Sequence, residues 1–299
     1  MKNCIEVKVG DYTLGGQLGM NPTILFGTIF FEGQSLLLDS ETGAFDEDMA
    51  KKQISDNFGV GKSVSVPVFI DVVADTEPAI KKQINFTATQ FNIPFLVDGS
   101  DSDVRIVGLK QAYQSNALEK TVYNSIGVDS TDEEFEAVIN HPPAAIIVSA
   151  IDTSNYGTDS AIEIVDEIKK RLPQDLHEKL LLDIGFLDEA SVKMACQIGK
   201  EVREATGLPV GGAPCNGLQM WDALRSRGNA DFTVCLASTL GFCAAFGMDF
   251  LFAGPLRFIQ YIAPAQGAVD IYNRYNLMIN NRNLSLAENH PINVMFAGS

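Results

Sequence analysis

The sequence predicts a (β/α)8 TIM barrel formed as a single domain over residues 1–299, and three observations carry that prediction. Eight short apolar runs recur along the chain, and helix-patterned stretches separate them. The runs are continuous rather than alternating, as expected of parallel strands buried on both faces. Several runs end on a carboxylate or carboxamide: FLVDGS at Asp98, VYNSIG at Asn124, LLLDIG at Asp183 and GGAPCNG at Asn216. If the strands close, those side chains converge at the C-terminal face of the barrel, where such folds place their sites. A doubly wound open sheet would expect a glycine-rich turn after its first strand, and GTIFFEG is a poor match to GxGxxG.

The N-terminus reads as a β-hairpin over residues 4–19, IEVKV and YTLGG around Gly10-Asp11, placed to plug the bottom of the barrel. The eight strands follow as PTILFGTIFF, VPVFIDVVAD, IPFLVDGS, TVYNSIG, AAIIVSAID, KLLLDIGF, LPVGGAPCNG and DFLFAGPL. A first helix is expected from about Asp46 to Phe58. A second runs from Thr76 to Phe91, with Pro78 in its first turn, where a missing N–H costs nothing. STDEE offers a capping box, Ser130 with Glu133. Asp188 is the expected cap of DEASVKMACQIGKEVREAT, which stops at Gly207. Two extra helices, around 218–227 and 231–247, lie between strands seven and eight. A long helix runs from about Pro255 to Asn280, and the tail from Arg282 to Ser299 has no clear period.

Composition narrows the partners. A net charge of −16 over 299 residues repels nucleic acid and anionic lipid. The apolar run from Phe232 to Phe252 is broken by Ser238, Thr239, Gly241, Gly247 and Asp249, so it reads as a buried helix entering a strand and not a membrane span. The N-terminus lacks a signal-peptide core. Five cysteines without CxxC spacing predict reduced thiols in the cytoplasm.

The polar inventory at the strand ends is Asp71 and Asp75, Asp98 and Ser100, Asn124 and Ser125, Ser149 and Asp152, Asp183, and Cys215 with Asn216. No lysine or other basic residue stands there, which argues against a Schiff-base aldolase and against a pyrophosphate site. His141, His177 and His290 fall outside the cluster, so no metal is expected on histidine and no Ser–His triad. Carboxylates accept paired N–H bonds and carboxamides offer both a donor and an acceptor, a set suited to a flat heterocycle with an amidine edge. Structural readings stand beside these. Asp71, Asp75, Asp152 and Asp188 are also candidate helix caps, as is Asp98. Asn216 is a candidate turn residue before Gly217. Cys215 reads as a packing thiol, and Met220 and Trp221 as helix packing. From the residues alone the reading stops at a barrel enzyme for a planar polar substrate, with an Mg-dependent lyase on Asp71, Asp98 and Asp183 as a rival.

A family resemblance goes further. PTILFGTIFFEGQ, FIDVVADTEPAI, FLVDGS, VYNSI, STDEEFEA, LPVGGAPCN and DFLFAGPL, in order over roughly residues 10–280, resemble the H subunit of tetrahydromethanopterin S-methyltransferase and its bacterial relatives. The wider class is the pterin-binding methyltransferases, which share a fold with dihydropteroate synthase. The resemblance implies methyl transfer between a corrinoid and N5 of a tetrahydropterin in one-carbon metabolism, and homodimers through the tail or the 231–247 helix. It implies that Asp98 binds the pterin's N3 and amino group and that Asn124 and Asp183 bind the remaining ring edges. Asn216 would reach N5, with Asp71 and Ser100 as further binding residues and Asp183 a candidate for proton relay. The family usually shows Gly-Ile-His-Asn where this chain has Ala213-Pro214-Cys215-Asn216: the asparagine is retained and the histidine is not. Tetrahydrofolate is the expected pterin; the alternatives are a tetrahydromethanopterin-specific methyltransferase subunit, a structural subunit that binds pterin without turnover, and a dihydropteroate-synthase-like condensing enzyme on the same barrel. Nothing in the chain resembles the DxHxxG corrinoid motif, so cobalamin is expected on a separate corrinoid protein.

Overall fold

The computed structural model describes residues 4–281 and 289–295. An antiparallel hairpin, β1 (Glu6–Val9) and β2 (Tyr12–Gly15), comes first. After it come β3 (Ile24–Ile29), a small hairpin of β4 (Leu37–Asp39) and β5 (Ala44–Phe45), and α1 (Glu47–Ser63). The chain continues through β6 (Val68–Ala74), α2 (Glu77–Gln90), β7 (Phe95–Gly99), α3 (Ser102–Gln114) and β8 (Thr121–Ile126). Next are α4 (Asp132–Asn140), β9 (Ala145–Ser149), α5 (Thr158–Arg171), β10 (Leu180–Asp183), α6 (Val192–Thr206) and β11 (Val210–Gly212). Three helices, α7 (Pro214–Met220), α8 (Asp222–Arg225) and α9 (Asn229–Ala245), lead to β12 (Phe250–Pro255). A 3-10 turn over Leu256–Phe258 then opens α10 (Ile259–Asn280), and α11 is Pro291–Met295.

Eight parallel strands close the barrel in the order β10-β11-β12-β3-β6-β7-β8-β9, as the sequence predicts. The hairpin closes its N-terminal end. Ile5 N donates to Gly207 O and Gly10 N donates to Glu119 O, both just ahead of barrel strands. Val7, Val9 and Leu14 are buried there, and Tyr12 meets Phe69 edge-on at 5.5 Å. Above it the inward side chains form an aromatic layer. Phe26 stacks on Phe69 at 5.7 Å and on Phe250 at 5.3 Å, and Phe252 crosses it at 4.9 Å. Such ring pairs add roughly 0.5–1.5 kcal/mol each beyond area burial. Because side chains alternate along a strand, the residues two positions on, Thr28 above Phe26 and Asp71 above Phe69, face inward again one layer higher. The interior is therefore dry below and polar above.

The caps account for the helix boundaries and correct some expectations. Asp46 accepts from Met49 N and starts α1. Thr76, not Asp75, caps α2 through Ala79 N. Before α4 the cap lies one residue beyond the expected box: Thr131 accepts from Glu134 N, while Ser130 Oγ accepts from Gly127 N. Asp188 accepts from Ala190 N and Ser191 N, closing the turn ahead of α6 and not the helix itself. Gly207 ends α6 at φ +78°, where a side chain would be strained. Asp152 binds Ser154 and Asn155 in a loop and caps no helix. The sharpest departure is at strand seven. Pro214 cannot continue a strand ladder but suits a helix's first turn. So β11 stops at Gly212 and α7 begins at Pro214, about four residues before the expected helix. Asn216 therefore projects from a helix and not from a strand. Of the tail after Arg282, residues 282–288 and 296–299 lie outside the described residues.

Candidate active site

A cavity of about 570 Å³ opens at the C-terminal face of the barrel. Its wall brings together Asp71 (β6), Asp98 (β7), Asn124 (β8) and Asp183 (β10), with Cys215 and Asn216 from α7. Ser100 stands apart: it is exposed, does not line the cavity, and its hydroxyl reaches only Asp75 O at 3.4 Å. Asp75 is exposed as well.

Strand register sets the heights. Val73 pairs with Asp98 and Asp98 with Asn124, so these share one level, while Asp71 lies two residues below. Asn124 Nδ2 donates to Asp98 Oδ2 at 3.0 Å, which fixes the amide and leaves the other carboxylate oxygen unused by that bond. The Asn124–Ser125 peptide is cis, and the β8–β9 register shifts between Asn124 and Ile126. Asp71 Oδ2 accepts from Thr28 Oγ1 at 2.8 Å. Its Oδ1 is buried with no hydrogen-bond partner among the described residues. A buried acceptor without a donor is costly, and a ligand N–H or O–H would complete it. Asp183 Oδ1 accepts from Gly185 N at 2.8 Å. A Cβ on Gly212 would stand 2.7 Å from that oxygen and 2.9 Å from the Phe186 ring, so only glycine leaves the carboxylate its place.

The electrostatics follow from burial. Desolvation pushes Asp183 up to about 6, with the Gly185 N–H opposing. Burial raises Asp71 too, against the pull of the Thr28 hydroxyl. Asp98 rises well above the usual carboxylate range, first by burial and then by the charge of Asp71, with Arg105 and Asn124 opposing. Carboxylates this close cannot all ionise cheaply. Cys215 is pushed up to about 12, first by burial and then by Asp71. Its thiol is neutral, contacts Asn216 Oδ1 at 3.5 Å, and is no nucleophile. Among the described residues, no three His, Cys, Asp or Glu side chains gather as a metal-ligand group.

Behind Asp98 lies a buried network that the sequence did not disclose. Glu134, fully buried, accepts from Arg105 Nε at 2.8 Å, Tyr123 Oη at 2.6 Å and Ser102 Oγ at 2.9 Å. Arg105 Nη1 donates to Gly99 O at 3.0 Å, tying α3 and α4 to the end of β7. The sequence also missed Phe31, Gln219 and Arg257 in the cavity wall. Arg257 corrects the expectation that no basic residue stands at a strand end: two residues beyond β12, it reaches the lining. The signal was the GPLR turn. A Cβ on Gly27 would meet Leu256 at 2.6 Å, so Gly27 lets Leu256 pack on β3 and carries Arg257 to the rim.

Fold and cavity define a (β/α)8-barrel protein with a cavity rich in carboxylates and amides at the C-terminal strand ends, where such folds place their sites. The chain belongs to the MtrH family, whose model, described as "Tetrahydromethanopterin S-methyltransferase MtrH subunit", matches residues 2–280. It is 28% identical over 233 residues to the H subunit of tetrahydromethanopterin S-methyltransferase from Methanopyrus kandleri, covering 74% of this chain and 72% of that one. To the corresponding protein of Methanothermobacter marburgensis it is 26% identical over 283 residues, 91% of each chain. Among solved structures it resembles the Yersinia pestis dihydropteroate synthase in complex with a sulfonamide drug. The TM-score is 0.64 at 13% identity, covering 90% of this chain and 98% of that one, a likeness of fold. No helix among the described residues is long and apolar enough to cross a membrane.

Proposed function

We propose that this protein transfers a methyl group between a corrinoid carried by a separate protein and N5 of a tetrahydropterin, with tetrahydrofolate favoured over tetrahydromethanopterin. The observation that carries the reading is the convergence of Asp98, Asn124, Asp183 and Asn216 on one cavity, in a chain of the MtrH family. Asp98, held by Asn124, offers its carboxylate to N3–H and the 2-amino group, a paired charge-assisted contact. Asn124 and Asp183 take the other ring edges. Asn216, on the opposite wall, faces N5.

In the forward direction the N5 lone pair attacks the methyl carbon, and the bond from carbon to the donor breaks with its electron pair staying on the donor. N5 becomes a cation and then sheds its proton. Holding the ring so that N5 faces the open mouth makes the step effectively unimolecular. The Asn216 amide hydrogen-bonds N5 and strengthens that bond as charge develops. Asp183, held near 6, is poised to accept or return the proton through water. The corrinoid would supply the methyl group, or the attacking electron pair for the reverse reaction, from outside this chain. The exposed Tyr272, Tyr275 and Ile279 on α10 support a homodimer contact, and the free cysteines support a reducing compartment such as the cytoplasm.

The test is an anaerobic assay with methylcobalamin and tetrahydrofolate, following loss of the methyl–cobalt absorbance. Wild type should form methyltetrahydrofolate, and Asn216→Ala should be slower by about 10²-fold, the order of cost of losing one preorganised hydrogen-bonding group, here the amide oxygen that accepts from the N5–H as it becomes cationic. Absence of any pterin binding would sink the reading. Binding without transfer would point to a different pterin or to an obligatory protein-bound corrinoid.

A further inference from the structure

A second groove of about 570 Å³ adjoins the cavity. It lies between the first turns of α9 and α10 and is walled by Ala230, Thr233, Val234, Ala237, Phe258 and Tyr261. Both helices begin at the catalytic face, because α10 leaves the C-terminal end of β12 and α9 runs down to the strand's beginning. Arg257 lines both the cavity and the groove. Its guanidinium lies over the Phe258 ring at 4.9 Å, is exposed, and has no ion pair among the described residues. It is also the only cation in either lining among the described residues, beside three aspartates, in a chain of net charge −16.

We propose that this groove is a binding subsite for the substrate's tail: an aryl spacer lies on the apolar wall and an anionic group beyond it pairs with Arg257. The inference rests on the pterin reading above and adds the part of the substrate that lies outside the ring. Tetrahydropterin cofactors carry their tail on C6, the atom bonded to N5. With N5 at Asn216, the tail must leave on the α7–β12 side. There a Cβ on Gly254 would stand 3.6 Å from that of Cys215, and the chain passes directly through Pro255 to Arg257. An anion has no other favourable place in the cavity, since Asp71, Asp98 and Asp183 repel it, whereas a guanidinium fork matches a carboxylate or phosphate. Val234 and Tyr261, both well exposed in the free chain, supply the flat apolar surface an aryl ring would cover.

The experiment compares a tailed and a tailless ligand on the full chain. Anaerobic titration calorimetry is run with tetrahydrofolate and with 6-methyltetrahydropterin on wild type, Arg257→Ala and Arg257→Lys. Arg257→Ala should weaken tetrahydrofolate about tenfold and leave 6-methyltetrahydropterin unchanged, with Arg257→Lys intermediate. Raised salt should erode only the tailed ligand's advantage. Equal effects on both ligands, or none on either, overturn the subsite while leaving the pterin reading intact. Failure of 6-methyltetrahydropterin and tetrahydrofolate alike to bind wild type removes the pterin reading and the subsite with it. Tetrahydromethanopterin, run as a third ligand, shows whether a phosphate-bearing tail is preferred to a glutamate.

Discussion

Replacing Asp183 by Asn should make the protein more stable and worse at binding its ligand, with opposite signs traceable to one desolvated charge. Asp183 is partly open to the cavity but enclosed by β9, β11 and the Gly185 turn, and burial lifts its carboxyl from 3.8 to about 6. The native state therefore binds this proton more tightly than the unfolded chain does. Stability linked to it is fully present below the unfolded value and is lost as pH rises through about 6. The two values differ by about two units, each worth about 1.4 kcal/mol, so the ionised carboxylate costs the ligand-free fold roughly 3 kcal/mol at pH 8. Cavity water screens the charge, so that figure is a ceiling and about 1–2 kcal/mol is the working expectation. Asn keeps the shape and the acceptor for Gly185 N. Urea unfolding should thus show Asp183→Asn more stable than wild type at pH 8, with the gap closing towards pH 4. Tetrahydropterin affinity should move the other way, falling about 10–100-fold at pH 8 with the loss of a hydrogen bond to a charged group. Wild-type affinity should fall below pH 6 beyond what the variant shows, since protonation turns one carboxylate oxygen into a donor and removes the charge that strengthens the bond from the ring N–H. A variant less stable than wild type at pH 8, or a gap that does not change with pH, would refute the assignment of a desolvated carboxylate.

Glu134→Ala should cost about 3–5 kcal/mol in urea unfolding, because it leaves the Arg105 guanidinium and the Tyr123 hydroxyl without their buried acceptor. Glu134→Gln, which keeps the shape, should cost less, and in both variants ligand affinity should drop as Gly99 and its neighbour Asp98 lose their anchor. Gly212→Ala places a methyl group 2.7 Å from Asp183 Oδ1. It should cost about 1–3 kcal/mol and weaken pterin binding, read by thermal unfolding and calorimetry together.

Local pattern was enough for the barrel. Strands buried on both faces must be apolar at every position, helices carry their own period, and Pro78 and Gly207 punctuate the chain through backbone geometry alone. The same logic placed Asp98, Asn124 and Asp183, since a polar residue ending a buried strand in a closed barrel reaches the C-terminal mouth. The legibility stopped where a residue's surroundings come from distant parts of the chain. Asp71 and Asp75 are equivalent candidates in sequence, yet the inward alternation and the neighbouring Thr28 put one at the cavity floor and the other in solvent. Ser100 falls just past the strand end and outside the lining. Asn216 reached the site by a helix that Pro214 starts early, and Arg257 by the contact of Leu256 with Gly27 on a strand more than two hundred residues earlier. Sequence by itself determined which segments become strands and which strand ends are polar, because those follow from solvation and backbone geometry near each residue. Tertiary structure alone decided which polar groups share a cavity, how far burial lifts their pKa values, and that a cation stands at the mouth. Register, closure and desolvation are properties of the whole barrel and exist only once it has closed.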